Sequence, residues 1–294
     1  MKRKTQVLFL SVCLLLCAAA VQAQNTKRGW QLELKKASLD LSSTDVKNAT
    51  EYKDFPNSKL SSDSQHVVKG FLDLTGDYFA RNFVWGNELI LDYGKTTLKP
   101  AEGERSTNET ADSIQYTGSY TQRLWDVKDF LGGFEAGPFG SLSYQTEFSS
   151  QGDTPLKRVF RAALGAKIYE GKYIKNFQLA GFSECDFTYD PSSQKYGWET
   201  SVEVHQPIRE GVRAVYTAMF RDYLHSTRQE ATDIDYEAGL DARLDVAVLK
   251  ELSVAPFMQY YTAQASAFGK RGQNFYVGVS FSFSHTFIRA HDVA

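Results

Sequence analysis

Between Asp233 and Val248 the chain alternates apolar and charged residues with unbroken parity. Ile234, Tyr236, Ala238, Leu240, Ala242, Leu244 and Val246 hold the even positions; Asp235, Glu237, Asp241, Arg243 and Asp245 hold odd ones. Successive side chains of a β-strand point to opposite faces, so this strand has one oily face and one charged face. A soluble sheet can use such a strand once, with its charges in water. Here the pattern recurs along nearly the whole chain, in segments long enough for a tilted membrane crossing of about 9–11 residues. A sandwich or propeller breaks its strands at about 5–6 residues. The pattern therefore predicts a barrel with an apolar outside and a wet inside.

The N-terminus agrees with export. Lys2, Arg3 and Lys4 precede an apolar run from Val7 to Val21, and Val21-Gln22-Ala23 forms a small-residue cleavage pattern. This is the layout of a secretory signal peptide over residues 1–23, cut after Ala23, leaving 24–294 as one β domain. Cys13 and Cys17 follow Val12 and Leu16, which are not the small residues of a lipid-attachment site. Only Cys185 remains beyond the signal, so no intramolecular disulfide is available. The whole sequence carries a formal charge of −2, and losing the signal's bases makes it more acidic, which excludes a general nucleic-acid binder. No segment after the signal offers the 18 or so consecutive apolar residues of a helical span.

Counting the alternating segments gives about 12 strands, an even number, as in single-chain bacterial outer-membrane barrels. The predicted fold is all-β, a closed antiparallel transmembrane barrel. Connections support it by alternating in length. Ser43–Gln65, Thr96–Ala111, Ser149–Lys157, Asp190–Lys195, Ser226–Thr232 and Ala265–Gln273 are long or polar; Arg81-Asn82, Glu170–Tyr173, Arg209–Gly211 and Leu249–Glu251 are tight. Long outer loops taking turns with short periplasmic ones mark this class, although Asp126–Gly133 is longer than its group requires. The first strand, Trp30–Leu41, changes parity around Lys35-Lys36, where a one-residue bulge would restore register.

Parity then assigns faces. Inward acids include Asp73, Asp77, Glu88, Asp92, Glu199, Glu203, Glu237, Asp241 and Asp245; inward bases include Arg213, Arg221 and Arg243. Outward aromatics expected in the lipid-facing girdles are Tyr78, Phe83, Trp85, Tyr93, Trp198, Phe281, Phe283 and Phe287.

The stretch Val84-Trp85-Gly86-Asn87-Glu88-Leu89-Ile90-Leu91-Asp92-Tyr93-Gly94-Lys95, followed by Asp112-Ser113-Ile114-Gln115-Tyr116, resembles the salt-induced outer-membrane protein families. That resemblance implies a bacterial outer-membrane location and transfers no site residues. The last strand, with Phe281, Phe283 and Phe287, resembles the terminal insertion signal of outer-membrane proteins, although His285 interrupts it and Ile288–Ala294 continue beyond. This second resemblance implies the barrel-assembly machinery as a transient partner, alongside the outer-membrane lipids.

Reactive chemistry is sparse. His66, His205, His225, His285 and His291 form no helical zinc pair, and neither a Cys–His cluster nor a phosphate-binding Gly loop is present, so no cofactor or metal is expected. A barrel lipase would need a serine beside a lipid-facing histidine. His285 faces outward, but Ser282 and Ser284 face inward and cannot pair with it. The expectation is a non-enzyme: a narrow channel for small polar or cationic solutes, favoured by an acidic excess on the inner wall. The alternative is a closed structural barrel whose ion pairs fill the lumen and whose outer loops bind partners. The Ser43–Gln65 loop, containing Tyr52, Phe55 and Pro56, can fold inward as a plug but is expected to be a solvated tether.

Overall fold

The computed structural model describes residues 27–49, 51–52, 58–61, 66–98, 106–128, 130–150, 155–228 and 233–292. The expected signal peptide and cleavage site over residues 1–23 lie outside them, as do Phe55 and Pro56. Twelve long strands form the wall: β1 (Lys27–Lys47), β2 (His66–Phe79), β3 (Phe83–Leu98), β4 (Ser106–Gln122), β6 (Phe134–Thr146), β7 (Val159–Gly171), β8 (Ile174–Asp186), β9 (Ser193–Arg209), β10 (Val212–Ser226), β11 (Ile234–Ala247), β12 (Leu252–Ala265) and β13 (Gly272–Ile288). Two short strands, β5 (Trp125–Val127) and β14 (His291–Asp292), and one helical turn, α1 (Ser58–Ser61), complete the described elements.

Each long strand pairs antiparallel with its neighbours, and β13 returns to β1 from Leu32↔Ile288 up to Lys47↔Gln273. The barrel is closed. Closure follows from the sequence's apolar outer face, because an open edge in hydrocarbon leaves backbone groups unpaired at several kcal/mol each.

The irregularity in β1 is a bulge. Pairing with β2 skips from Leu34↔Leu74 to Lys36↔Asp73, and pairing with β13 skips from Leu34↔His285 to Ala37↔Phe283. One extra residue keeps Leu32, Leu34, Ala37, Leu39 and Leu41 on a common outer face, and two consecutive lysines enter the lumen as a result. β3 and β4 run further than their hydrophobic patterns, pairing as far as Leu98↔Ser106. Beyond the lipid both faces of a ribbon meet water, so alternation fades where pairing does not. The long Asp126–Gly133 connection is explained by β5, which takes over from β4 after Arg123 and pairs Trp125–Val127 with Phe134–Ala136.

The outer surface is an apolar belt. Leu39, Val68, Leu142, Leu164, Leu240, Met258, Val277 and Phe281 are all exposed there. Toward the tight turns Trp30, Tyr78, Phe83 and Tyr120 form a run of ring contacts at 5.2–6.5 Å. Toward the long loops Tyr93 meets Phe148, and Trp198 meets Phe220, which meets Tyr236. Trp85 and Phe287 are exposed on the tight-turn half. On β13, Phe283 stacks on His285, which meets Phe287 edge-on at the tight-turn end, while Phe281 lies further along the strand, paired with Leu39 and Val254.

Candidate functional site in the barrel lumen

The inner wall carries three layers of charge. In the outer half, Arg221 of β10 bridges Glu199 of β9 (2.9 Å) and Glu237 of β11 (2.5 Å). Tyr261 donates its hydroxyl to Glu237 at 2.8 Å, and Arg161 pairs with Glu184 on β7 and β8. Both guanidiniums lie over the Phe182 ring, 5.5 and 5.6 Å from its centroid, and Phe182 meets Tyr223 edge-on. Glu184, Glu199 and Glu237 are buried. This layer resembles a packed core more than an aqueous wall.

The middle layer is looser. Lys35, delivered by the bulge, approaches Glu88 at 3.3 Å, with Asp73, Asp77 and Glu203 also within electrostatic reach. Glu203 meets His205 at 2.5 Å, and Lys167 sits near Glu88 and Asp77. Side-chain exposure here is 41% for Lys35, 34% for Glu88 and 33% for Glu203, so water has room among them. Asp92 faces Lys69 at 3.6 Å, and the Lys69 and Lys36 ammoniums flank the Phe71 ring. Asp241 accepts from Gln259, and Asp245 lies between Arg213 (2.9 Å) and Arg243 (3.2 Å). Asp245 is thereby neutralised by its own wall.

The tight-turn end is the most densely bonded part of the inner wall. Arg123, its side chain only 1% exposed, forks onto Glu135 and donates to the carbonyls of Lys27 (3.0 Å) and Ala80 (2.9 Å). Tyr169 donates to the same Glu135 at 2.7 Å. The chain's end closes underneath: Ala290 is buried with Phe79, Val84 and Tyr169, and β14 pairs with Lys27 and Arg28. Residues 289–292 are thus built into this end of the barrel.

At the outer mouth the described part of the first loop, residues 48–49, 51–52 and 58–61, folds inward, contrary to the expected tether. Tyr52 and Leu60 are fully buried with Tyr261, Ala263 and Ala265. Tyr52 donates to the carbonyls of Ala263 and Lys270, and Asn274 donates to the Lys59 carbonyl at 2.5 Å. Gly272 makes the seat, since a Cβ there would stand 2.7 Å from Leu60 Cδ1. Burial drives the Lys59 ammonium below the ordinary lysine value, opposed by Asp92 and Glu237 and reinforced by Lys69 and Lys157.

Parity reasoning missed the inward aromatics Phe71, Phe79, Phe139, Phe182, Phe257 and Tyr261 because it equated the lumen face with polarity. Their signal was present: Phe182 shares parity with Glu184, and Tyr223 shares it with Arg221. His285 finds Glu251 at 2.7 Å, whereas the Ser282 hydroxyl is engaged with Ser280, which in turn meets Asp40. No serine–histidine pair forms on this strand. Among the described residues no group of three or more His, Cys, Asp or Glu side chains is arranged to hold a metal.

No family model matches the chain, and no curated protein matches it in sequence. The resemblance to salt-induced outer-membrane proteins therefore has no family match behind it. Solved structures align with the chain at low identity. An outer-membrane channel from Pseudomonas putida F1 is 11% identical, with a TM-score of 0.44 over 90% of this chain and 100% of that one. The outer-membrane phospholipase A of Escherichia coli is 14% identical, with a TM-score of 0.41 over 84% and 89%. The translocator domain of the autotransporter NalP from Neisseria meningitidis is 8% identical, with a TM-score of 0.35 over 96% and 98%. At such identities and TM-scores these likenesses assign no activity to this chain, and function has to be read from the site itself.

Proposed function

We propose that this protein is an integral barrel of the bacterial outer membrane that conducts small polar solutes, with a preference for cations, through a narrow lumen. The observation that carries this reading is the middle layer, where Lys35, Glu88 and Glu203 remain a third or more exposed inside a closed wall. Charged groups left with room for water halfway along a barrel are what a polar pathway needs. Asp73, Asp77, Glu88 and Glu203 supply the negative potential there, partly offset by Lys35 and Lys167. Lipids would contact the apolar belt, and the barrel-assembly machinery would act only during insertion. No step of the reading requires catalysis.

The refolded barrel in a planar bilayer should give discrete, cation-preferring current steps of small amplitude. A purified protein that shows heat-modifiable gel migration, and so is folded, yet never opens would refute conduction. That result would favour the second reading, a closed structural barrel, which draws on the Arg123 cluster and the inward-folded loop.

A further inference from the structure

The first outer loop places one cation inside the lumen. It enters after β1, turns at Asn48 (φ 63°), and is fixed by the buried Tyr52 and Leu60, while at its exposed rim Asn48 donates to the Arg271 carbonyl (2.9 Å) and Glu51 pairs with Lys270 (3.5 Å). Tyr52 is held by the Ala263 and Lys270 carbonyls, and Leu60 fills the space left by the missing side chain of Gly272. Lys59, between those anchors and β13, lays its ammonium over the Tyr261 ring at 5.1 Å. Tyr261 is itself bonded to Glu237, the acid shared with Arg221. Asp92 on β3 and Glu237 on β11 are the acids facing Lys59, while Lys69 and Lys157 are the neighbouring bases. Among the described residues of this loop, Lys59 is the charge set among the lumen acids, above a middle layer rich in further acids.

We propose that Lys59 is the charge filter of the pore. It sets ion preference at the outer constriction and limits the cation selectivity that the acidic wall below would otherwise produce. This rests on the channel reading. A cation entering from outside meets the Lys59 charge at short range in a water-poor space, where repulsion is stronger than in bulk water. The position is specified by burial of its neighbours, so the charge cannot swing aside as a surface lysine would.

The test uses the full folded barrel in planar bilayers under a salt gradient. Lys59→Gln should raise the cation-to-anion permeability ratio by about twofold or more, the scale expected for one charge at close range. Lys59→Arg should keep the wild-type ratio. Tyr52→Ala combined with Leu60→Ala removes both anchors; it should raise unit conductance and reproduce the selectivity of Lys59→Gln, because the charge leaves with the loop. Heat-modifiable migration establishes folding for each variant. A folded, conducting Lys59→Gln barrel with the wild-type reversal potential would overturn the filter while leaving the channel intact. Absence of current in every variant, the unanchored one included, would remove the channel reading and the filter with it.

Discussion

Arg221 offers the sharpest test of whether the outer half of the lumen is a core or a wall. Its guanidinium serves two carboxylates, Glu199 and Glu237, and its side chain is 16% exposed against 11% for each partner. Breaking a buried pair by removing one partner costs about 3–5 kcal/mol, because an uncompensated charge remains in a poor solvent. Arg221→Met strands two acids at once, so the loss should fall in the upper part of that range. At a urea slope of about 2 kcal/mol/M, the unfolding midpoint would move down by about 2 M. The assay is equilibrium urea unfolding of the refolded barrel in detergent micelles, followed by tryptophan fluorescence. Adding Glu199→Gln and Glu237→Gln to Arg221→Met should recover most of the loss, since the penalty comes from the stranded charges. A change below about 1 kcal/mol for Arg221→Met would put the triad in the class of hydrated surface pairs. The outer layer would then be aqueous, and the description of it as packed would be wrong.

The bulge and the belt give two further expectations. Deleting Lys35 removes only the extra residue, so Leu34 and Ala37 keep their outward faces and the barrel should still fold; deleting Ser38 instead turns Leu39 and Leu41 into the lumen and should abolish folding. Heat-modifiable migration of the two deletion variants decides it, and equal behaviour would refute the assigned register. Leu240→Arg, on the exposed outer face of β11, should cost about 2–4 kcal/mol in micelle or bilayer unfolding, and an effect near zero would place that face away from lipid.

Much of the barrel was legible because period-2 alternation is a geometric consequence of strand pleating and survives weak sequence specificity. The strand count and the β1 bulge follow from parity, and the alternation of long and short connections supports them independently. Parity cannot say whether an inward residue is hydrated. Asp245 and Glu203 have the same signature in the sequence, yet one is held between two arginines and the other borders a more open space. Nor can it reveal contacts between residues far apart in the chain. The Arg123 cluster depends on carbonyls of Lys27 and Ala80, and the inward loop depends on a glycine more than two hundred residues after it.

The bulge links architecture to function. A regular β1 would send one of Lys35 and Lys36 toward lipid, where a cation at the midplane is expensive. The inserted residue turns both inward, and each then occupies a different electrostatic setting. Lys35 faces Glu88 and Asp73, whereas Lys36 lies against Phe71 near Arg243 and Lys69. The acid surplus inferred from strict alternation is therefore smaller in the folded barrel, and Lys59 reduces it further from the outside. In the proposed channel, selectivity is set by Lys59 acting against a few acids in the middle layer that the surrounding bases do not fully neutralise. That is a shorter and more testable set than the whole inward face of the sequence.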